Sequence, residues 1–268
     1  MKIYISVDIE GVCGIANWNE TTLNHPDYNY FRQEMINEVI ACCKALNESG
    51  VDEIYVRDAH DSARNIIPNQ LPEYVKLIRG WQGSPCDMMA GLDETFDGVI
   101  LIAYHSNARS ANNPLSHTLS TSVNHIKFNN KLVSEFIINT YFAKTLNVPV
   151  IMVTGDEGLT KIVKEENPLI ETVAAFKGMN GAIETKHPNL IYQEISDKTK
   201  KAIQNLKQSK NNLYVIMPRM IEAEIHFRTH TEAYSATFYP NAYRINDDKT
   251  GFKSKNYMDV LKFIKFTM

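Results

Sequence analysis

The segment Gly98–Tyr104 most strongly limits the folds open to this chain, because it is an apolar run without alternation. A strand of this composition is buried on both faces, which is typical of the centre of a parallel sheet covered by helices. Further strand patterns occur near the N-terminus, at 51–58 and at 148–153, and helical patterns separate them. This alternation predicts an α/β fold with a mostly parallel, doubly wound sheet and helices on both faces.

The rest of the chain carries a more mixed pattern. Asn129-Asn130 lies between two short strand patterns and predicts a hairpin. Further along, we expect helices at 159–166, at 192–207 and from Tyr257, and strands at 171–176, 213–217 and 221–227. The polar stretch 208–212 leads us to expect a main α/β domain over 1–207. A smaller α+β region over 208–268 is then either separate or part of the same domain.

Charge and composition exclude several classes of protein. A net charge of −3 and a pI near 6.2 leave no basic surplus for nucleic acid or for an anionic membrane surface. No apolar run is long enough to span a bilayer, and the N-terminal pattern is not that of a signal peptide. The four cysteines show no CxxC spacing. We therefore expect a cytoplasmic protein with free thiols and no membrane or nucleic-acid partner.

Acidic and imidazole side chains follow the predicted strands at the point where each strand ends. Asp8 and Glu10 follow the first strand, His60 follows the second, His105 closes the apolar strand, and Glu135 begins a helix. In open α/β sheets, ligands bind beyond the carboxyl ends of the strands. We therefore expect these five side chains to lie together.

Three carboxylates in one pocket need positive charge. Each pair repels by about 4 kcal/mol at 4 Å with an effective dielectric near 20. Two divalent cations supply that charge, and Asp8 is the expected bridge between them because it is central. Mixed imidazole and carboxylate donors favour Zn²⁺, with Mn²⁺ or Co²⁺ as alternatives. The prediction is two Zn²⁺ per chain, although spacing alone is a weak motif because there is no HExxH.

Seven stretches resemble, in order and spacing, the zinc-dependent D-aminopeptidases of the dipeptide-transport (DppA) type: Ser6–Gly11, Asp58–His60, Gly91–Phe96, Tyr104–His105, Ser116–His117, Glu135 and Val148–Asp156. The resemblance extends over essentially the whole chain. It implies a ring-like homodecamer in which His117 is the catalytic histidine. The metal ligands that it implies are Asp8, Glu10, His60, His105 and Glu135. Ser134 and Asn180-Gly181 depart from the family pattern, which leaves the substrate preference open.

The residues and the resemblance together predict a dinuclear metallo-aminopeptidase that acts on short peptides or amides with an N-terminal D-amino acid. Two alternatives stay open. One is another metal-dependent amidohydrolase or phosphoesterase on the same scaffold, and the other is a non-catalytic peptide-binding protein of a transport system. The aromatic-rich segment Tyr234–Phe252 offers apolar surface that a monomer rarely exposes, so we also expect a homo-oligomer.

Other polar residues are not expected to bind metal. Three acids near the predicted site are possible hydrogen-bond partners of ligand histidines, namely Asp58, Asp156 and Glu157. We expect surface or packing roles for His226 and His230, and polar-loop positions without a role for His25, His125 and His187. The chain has no dinucleotide or P-loop fingerprint and no Gly-x-Ser-x-Gly motif.

Overall fold

The computed structural model describes residues 1–268 and contains twelve strands and six α-helices. In chain order they are β1 (Lys2–Val7), α1 (Tyr28–Glu48), β2 (Glu53–Asp58), β3 (Val75–Ile78), β4 (Gly98–Tyr104), β5 (Val123–Phe128), β6 (Lys131–Leu132), α2 (Glu135–Thr145), β7 (Val150–Asp156), α3 (Glu157–Glu166), β8 (Glu171–Met179), β9 (Ala182–Thr185), α4 (Pro188–Ser209), β10 (Ile221–Phe227), α5 (His230–Ala236), β11 (Tyr243–Arg244), β12 (Lys249–Ser254) and α6 (Tyr257–Thr267). None of the helices has both the length and the hydropathy needed to cross a bilayer.

Seven strands form the main sheet, in the order β3-β2-β1-β4-β7-β8-β9. Neighbours are parallel except for β8 and β9. Helices α1 and α4 pack on one face, and α2, α3, α6 and a second sheet cover the other. Strand β4 is buried along its whole length, as its composition predicts. The predicted α/β fold with a doubly wound sheet is confirmed.

The second sheet is antiparallel and has the order β11-β12-β10-β5-β6. The predicted hairpin joins β5 to β6, and both Asn129 and Asn130 adopt the left-handed conformation, with φ of 48° and 68°. His125 lies in β5 and is buried, so its predicted position in a polar loop is wrong. Because this sheet combines strands from before and after residue 208, the division at 207 does not follow the sheets and stays a prediction.

The predicted strand at 213–217 is wrong. Residues 210–213 form a 3₁₀ helix, and the following residues pair with no strand. Leu213 and Val215 are nevertheless buried, so their apolar alternation reflects packing against the core rather than sheet pairing. Helix α5 and strands β9, β11 and β12 were not predicted. Strand β12 is rich in Lys, Thr and Ser and depends on pairing with the distant β10.

Close backbone contacts fix the end of β4. Ala103 adopts φ of +60°, and the register with β7 shifts before Tyr104. The Tyr104 carbonyl lies between two glycines: a Cβ added at Gly11 would be 2.0 Å from its oxygen, and one added at Gly155 would be 1.9 Å away. Both positions therefore require glycine. Together they set the path of the backbone into His105.

Candidate metal centre

The structure brings together the five predicted ligand residues at the carboxyl edge of the main sheet. Asp8 and Glu10 follow β1, His60 follows β2, His105 follows β4, and Glu135 is the first residue of α2. All five are buried. Strands β1 and β4 are neighbours, and the chain order of the sheet changes direction there, which is where open α/β sheets bind ligands.

Asp8 lies at the centre of two donor clusters. Its Oδ1 is 3.3 Å from His60 Nδ1, and its Oδ2 is 3.6 Å from His105 Nε2. Glu10 Oε2 completes the first cluster, 3.3 Å from His60 Nδ1. Glu135 Oε1 completes the second, 3.4 Å from His105 Nε2. A carboxylate whose two oxygens face different clusters has the geometry of a bridging ligand.

Backbone carbonyls orient both imidazoles. His60 Nε2 donates to the Thr21 carbonyl at 3.0 Å, and His105 Nδ1 donates to the Ser106 carbonyl at 2.9 Å. The ring nitrogen that faces the carboxylates therefore carries the lone pair in the neutral imidazole, as in metal-ligating histidines. Glu10 Oε2 and His105 Nε2 are buried without a hydrogen-bond partner. These orphaned atoms and this donor set fit divalent cations.

Neighbouring charges shift the pKa values of the buried groups in the site. Burial alone lowers the pKa of His60, but the charges of Glu10 and Asp8 hold that pKa well above its usual value. His105 has its pKa raised in the same way beside Glu135. Burial and the charge of Glu10 raise the pKa of Asp8. Without metal, protons thus balance the carboxylates, and metal binding must displace them.

His117 lies beside the second cluster, with Nε2 3.9 Å from Glu135 Oε1. Its Nδ1 donates to the Leu115 carbonyl at 2.9 Å, which leaves the lone pair on the nitrogen that faces the site. Burial and the charge of His105 lower the pKa of His117, so it is neutral at pH 7. Because the donor atoms of His105, His117 and Glu135 lie within 4.8 Å of one another, His117 has the position of either a ligand or a proton acceptor.

A family model described as D-aminopeptidase (Peptidase_M55) matches residues 1–266. The chain belongs to the D-aminopeptidase family. A D-aminopeptidase of Bacillus subtilis (strain 168) is 32% identical over 213 residues, which cover 78% of this chain and 76% of that protein. The solved structure of the Zn-dependent D-aminopeptidase DppA from Bacillus subtilis, described as a self-compartmentalizing protease, matches with a TM-score of 0.91 and 27% identity. The match covers 100% of this chain and 96% of that one.

Membership of the D-aminopeptidase family confirms the prediction of a metallo-aminopeptidase, and the observed donor set agrees with it. The similarity to the DppA structure over the full chain also confirms the predicted fold class. The assignment of individual ligands and of the catalytic histidine stays a prediction, which rests on the distances above.

In this D-aminopeptidase, Asp58 holds the loop that carries His60. Its carboxylate accepts from Asn65 Nδ2 at 2.8 Å and from the backbone N–H of Ile66 at 2.6 Å. Asn65 Nδ2 also donates to the His60 carbonyl at 2.7 Å. Asp58 thus positions the ligand through the backbone, and the predicted bond to an imidazole is wrong. Sequence reasoning missed Asn65, which no motif marks.

Asp156 has a similar role beside β4. It accepts from the backbone N–H of Ser106 at 2.7 Å and caps α3 by accepting from Leu159 at 2.8 Å. Glu157 instead pairs with Lys161 at 3.0 Å, so neither acid bonds to a ligand histidine as predicted. His226 donates to Asp248 at 2.8 Å, far along the chain from the ligands, in agreement with a packing role.

A cavity of about 570 Å³ opens onto the donor clusters. Loop residues Trp18 and Trp81 form part of its wall, and Trp18 packs edge-on against His117 with ring centroids 5.2 Å apart. Apolar side chains from α2 and α6, including Phe142 and Ile264, also line this cavity. Neither tryptophan was predicted to belong to the site, because both lie in loops whose positions depend on the whole fold.

Proposed function

We propose that this D-aminopeptidase hydrolyses short peptides or amides with an N-terminal D-amino acid at a dinuclear zinc site. The observation that carries the proposal is the sharing of Asp8 between two donor clusters. Asp8, Glu10 and His60 would hold one metal ion, and Asp8, His105 and Glu135 would hold the other. The zinc dependence of the Bacillus subtilis structure supports zinc over Mn²⁺ or Co²⁺.

Bound zinc supplies Lewis-acid activation of the scissile carbonyl and of water at neutral pH. The protein contributes a proton acceptor, since the neutral His117 presents Nε2 to the site. In the proposed reaction, His117 accepts a proton from the attacking water and returns it to the departing amine. The loop that carries His117 is tied to the centre, because the backbone N–H of Leu119 donates to Glu135 Oε1 at 2.7 Å.

The test is a substrate panel on protein of measured zinc content. We expect D-aminoacyl amides and dipeptides with an N-terminal D-residue to be hydrolysed faster than their L-counterparts, and nitrophenyl phosphate not at all. Equal rates for both stereoisomers would contradict the D-preference. Phosphatase activity alone would favour a phosphoesterase, and peptide binding without turnover would favour a non-catalytic peptide-binding protein.

We further propose that the chain forms a homo-oligomer, with the decamer implied by the sequence resemblance as the specific expectation. Helix α5 and the turn after it expose aromatic side chains, with Tyr234 55% and Phe238 73% accessible in the single chain. The self-compartmentalizing character of the Bacillus subtilis protease supports such an assembly. A cytoplasmic location stays a prediction.

A further inference from the structure

A second cavity, of about 460 Å³, lies next to the metal cavity. The two share three lining residues, Trp18, His117 and Thr121. Four of the five proposed ligands line the first cavity, and none lines the second. His117 therefore lies where the two cavities meet.

The two cavities differ in their charged side chains. The first is lined by five carboxylates, namely Asp8, Glu10, Asp61, Asp87 and Glu135, with Lys265 as its one lysine. The second is lined by Arg109 and Arg228 and by no carboxylate. A short peptide with free ends carries an ammonium at one end and a carboxylate at the other. The arginines of the second cavity match the carboxylate end of such a peptide. The amino end of an aminopeptidase substrate then lies in the first cavity, at the proposed metal centre.

The two arginines are free to bind an anion. Both are exposed, and neither pairs with a carboxylate of the chain, in contrast to Arg244, which pairs with Asp247. Arg109 also adopts φ of +71°, a left-handed conformation that is uncommon for residues other than glycine and occurs often at ligand sites. Arg109 belongs to the loop after β4 that carries His117, and Arg228 directly follows β10.

We propose that the second cavity receives the leaving part of the substrate and that Arg109 and Arg228 bind its terminal carboxylate. The inference rests on the proposed aminopeptidase reaction. In that reaction the peptide C–N bond breaks, the water oxygen bonds to the acyl carbon, and a water proton passes through His117 to the departing nitrogen. Because His117 borders both cavities, the departing nitrogen faces the second one.

Guanidinium groups bind carboxylates through paired, charge-assisted hydrogen bonds. The second cavity therefore selects peptides that end in a free carboxylate over amides of the same acyl residue. Of the short peptides and amides proposed above as substrates, the peptides with a free C-terminal carboxylate are then preferred. It also assigns a specificity role to two residues that lie outside the metal centre.

The variants that test this are Arg109→Asn, Arg228→Gln and the double variant. Asn tolerates the left-handed backbone at 109, so the first change removes the charge with little strain. We measure kcat/KM for two substrates with the same N-terminal residue, the dipeptide D-alanyl-alanine and D-alaninamide. Each substitution should lower the dipeptide-to-amide ratio of kcat/KM by about tenfold, mainly through KM. The matched control is Arg219→Gln, because Arg219 is exposed and lines neither cavity.

An unchanged ratio in the double variant overturns the carboxylate subsite while leaving the aminopeptidase reaction intact. Calorimetric titration of the dipeptide and of its C-terminal amide tests the subsite without turnover. The parent protein should bind the dipeptide at least tenfold more tightly than the dipeptide amide, and the double variant should lose that difference. Equal binding of the two by the parent overturns the inference, whereas tight dipeptide binding without hydrolysis overturns only the proposed reaction.

Discussion

The imidazole rings of His105 and His117 are stacked, with centroids 4.3 Å apart and planes at 9°. Their environments differ, because His105 Nε2 is within 3.6 Å of two carboxylates, whereas Glu135, at 3.9 Å, is the one carboxylate within 4.0 Å of His117 Nε2. In the proposed reaction, His105 holds metal while His117 stays available for a proton. This relationship makes the two histidines separable by experiment.

Replacing His117 should separate catalysis from metal binding. We expect His117→Ala to keep its zinc and to lose about 10²- to 10⁴-fold in turnover, the usual range for general acid–base catalysis. His105→Ala should lose both zinc and activity. Elemental analysis and peptide hydrolysis check this pair. Loss of one zinc from His117→Ala would make it a ligand, and turnover at the parent rate would exclude the proposed proton transfer.

Replacing the proposed bridge should empty both metal positions. We expect Asp8→Ala to bind less than one zinc per chain, against two for the parent, because both clusters lose a ligand. Asp61→Asn is the matched control, since Asp61 lines the same cavity but belongs to neither cluster. Elemental analysis after dialysis is the measurement. Full zinc occupancy in Asp8→Ala would contradict the bridging role.

The glycine contacts at the end of β4 should matter for stability. A methyl group at Gly155 would meet the Tyr104 carbonyl, so Gly155→Ala should lower the free energy of unfolding by about 1–3 kcal/mol. It should also weaken zinc binding, because His105 follows that carbonyl directly. Gly181→Ala is the control, since nothing lies within 4 Å of a Cβ added there. In calorimetric unfolding, Gly155→Ala should have a lower free energy of unfolding than Gly181→Ala.

Glu38 should make stability depend on pH. Burial raises the pKa of this carboxyl to about 8. The hydrogen bond that it accepts from the backbone N–H of Cys13, at 2.9 Å, partly opposes the rise. The folded state keeps a proton that the unfolded state releases above its usual pKa of 4.5. The contribution of Glu38 to the free energy of unfolding is therefore complete below pH 4.5 and is lost as the pH rises to 8.

The variant Glu38→Gln removes this titration. Relative to the variant, the parent should lose up to about 5 kcal/mol of unfolding free energy between pH 4.5 and 8. Denaturant unfolding of both proteins at several pH values measures the difference. Parallel pH profiles would show that Glu38 is charged in the folded protein.

The exposed aromatic surface predicts assembly. Light scattering should report a particle several times the 30.5 kDa of one chain, and Phe238→Asp should reduce its mass by placing a charge in the contact. A 30.5 kDa particle for the parent at micromolar concentration would contradict the oligomer.

Local sequence patterns predicted the parallel strands of the main sheet but not β9, and they placed the proposed ligands near strand ends without establishing them as a metal site. The apolar run Gly98–Tyr104 and the polar residues at the strand ends follow from periodicity and from the geometry of parallel sheets. That geometry alone brings Asp8, His60 and His105 to one edge. The role of His117 and the zinc assignment came from the family resemblance, since spacing does not determine them.

The remaining features depend on contacts between distant parts of the chain. Pairing of β5 with β10 builds the second sheet, and no local pattern near residue 125 indicates its partner. The need for Gly11 and Gly155 becomes visible only when both flank the Tyr104 carbonyl. Arg109 and Arg228 are ordinary loop arginines in the sequence, and only the fold brings them to one cavity.

The chain has two tryptophans, and both line the metal cavity. Trp18 packs against His117. The guanidinium carbon of Arg57 lies over the ring of Trp81, 4.8 Å from the ring centroid. All of the intrinsic tryptophan fluorescence of the protein therefore arises at the site. Zinc and peptide titrations can be followed optically without a label, and single replacements by Phe assign the signal to Trp18 or to Trp81.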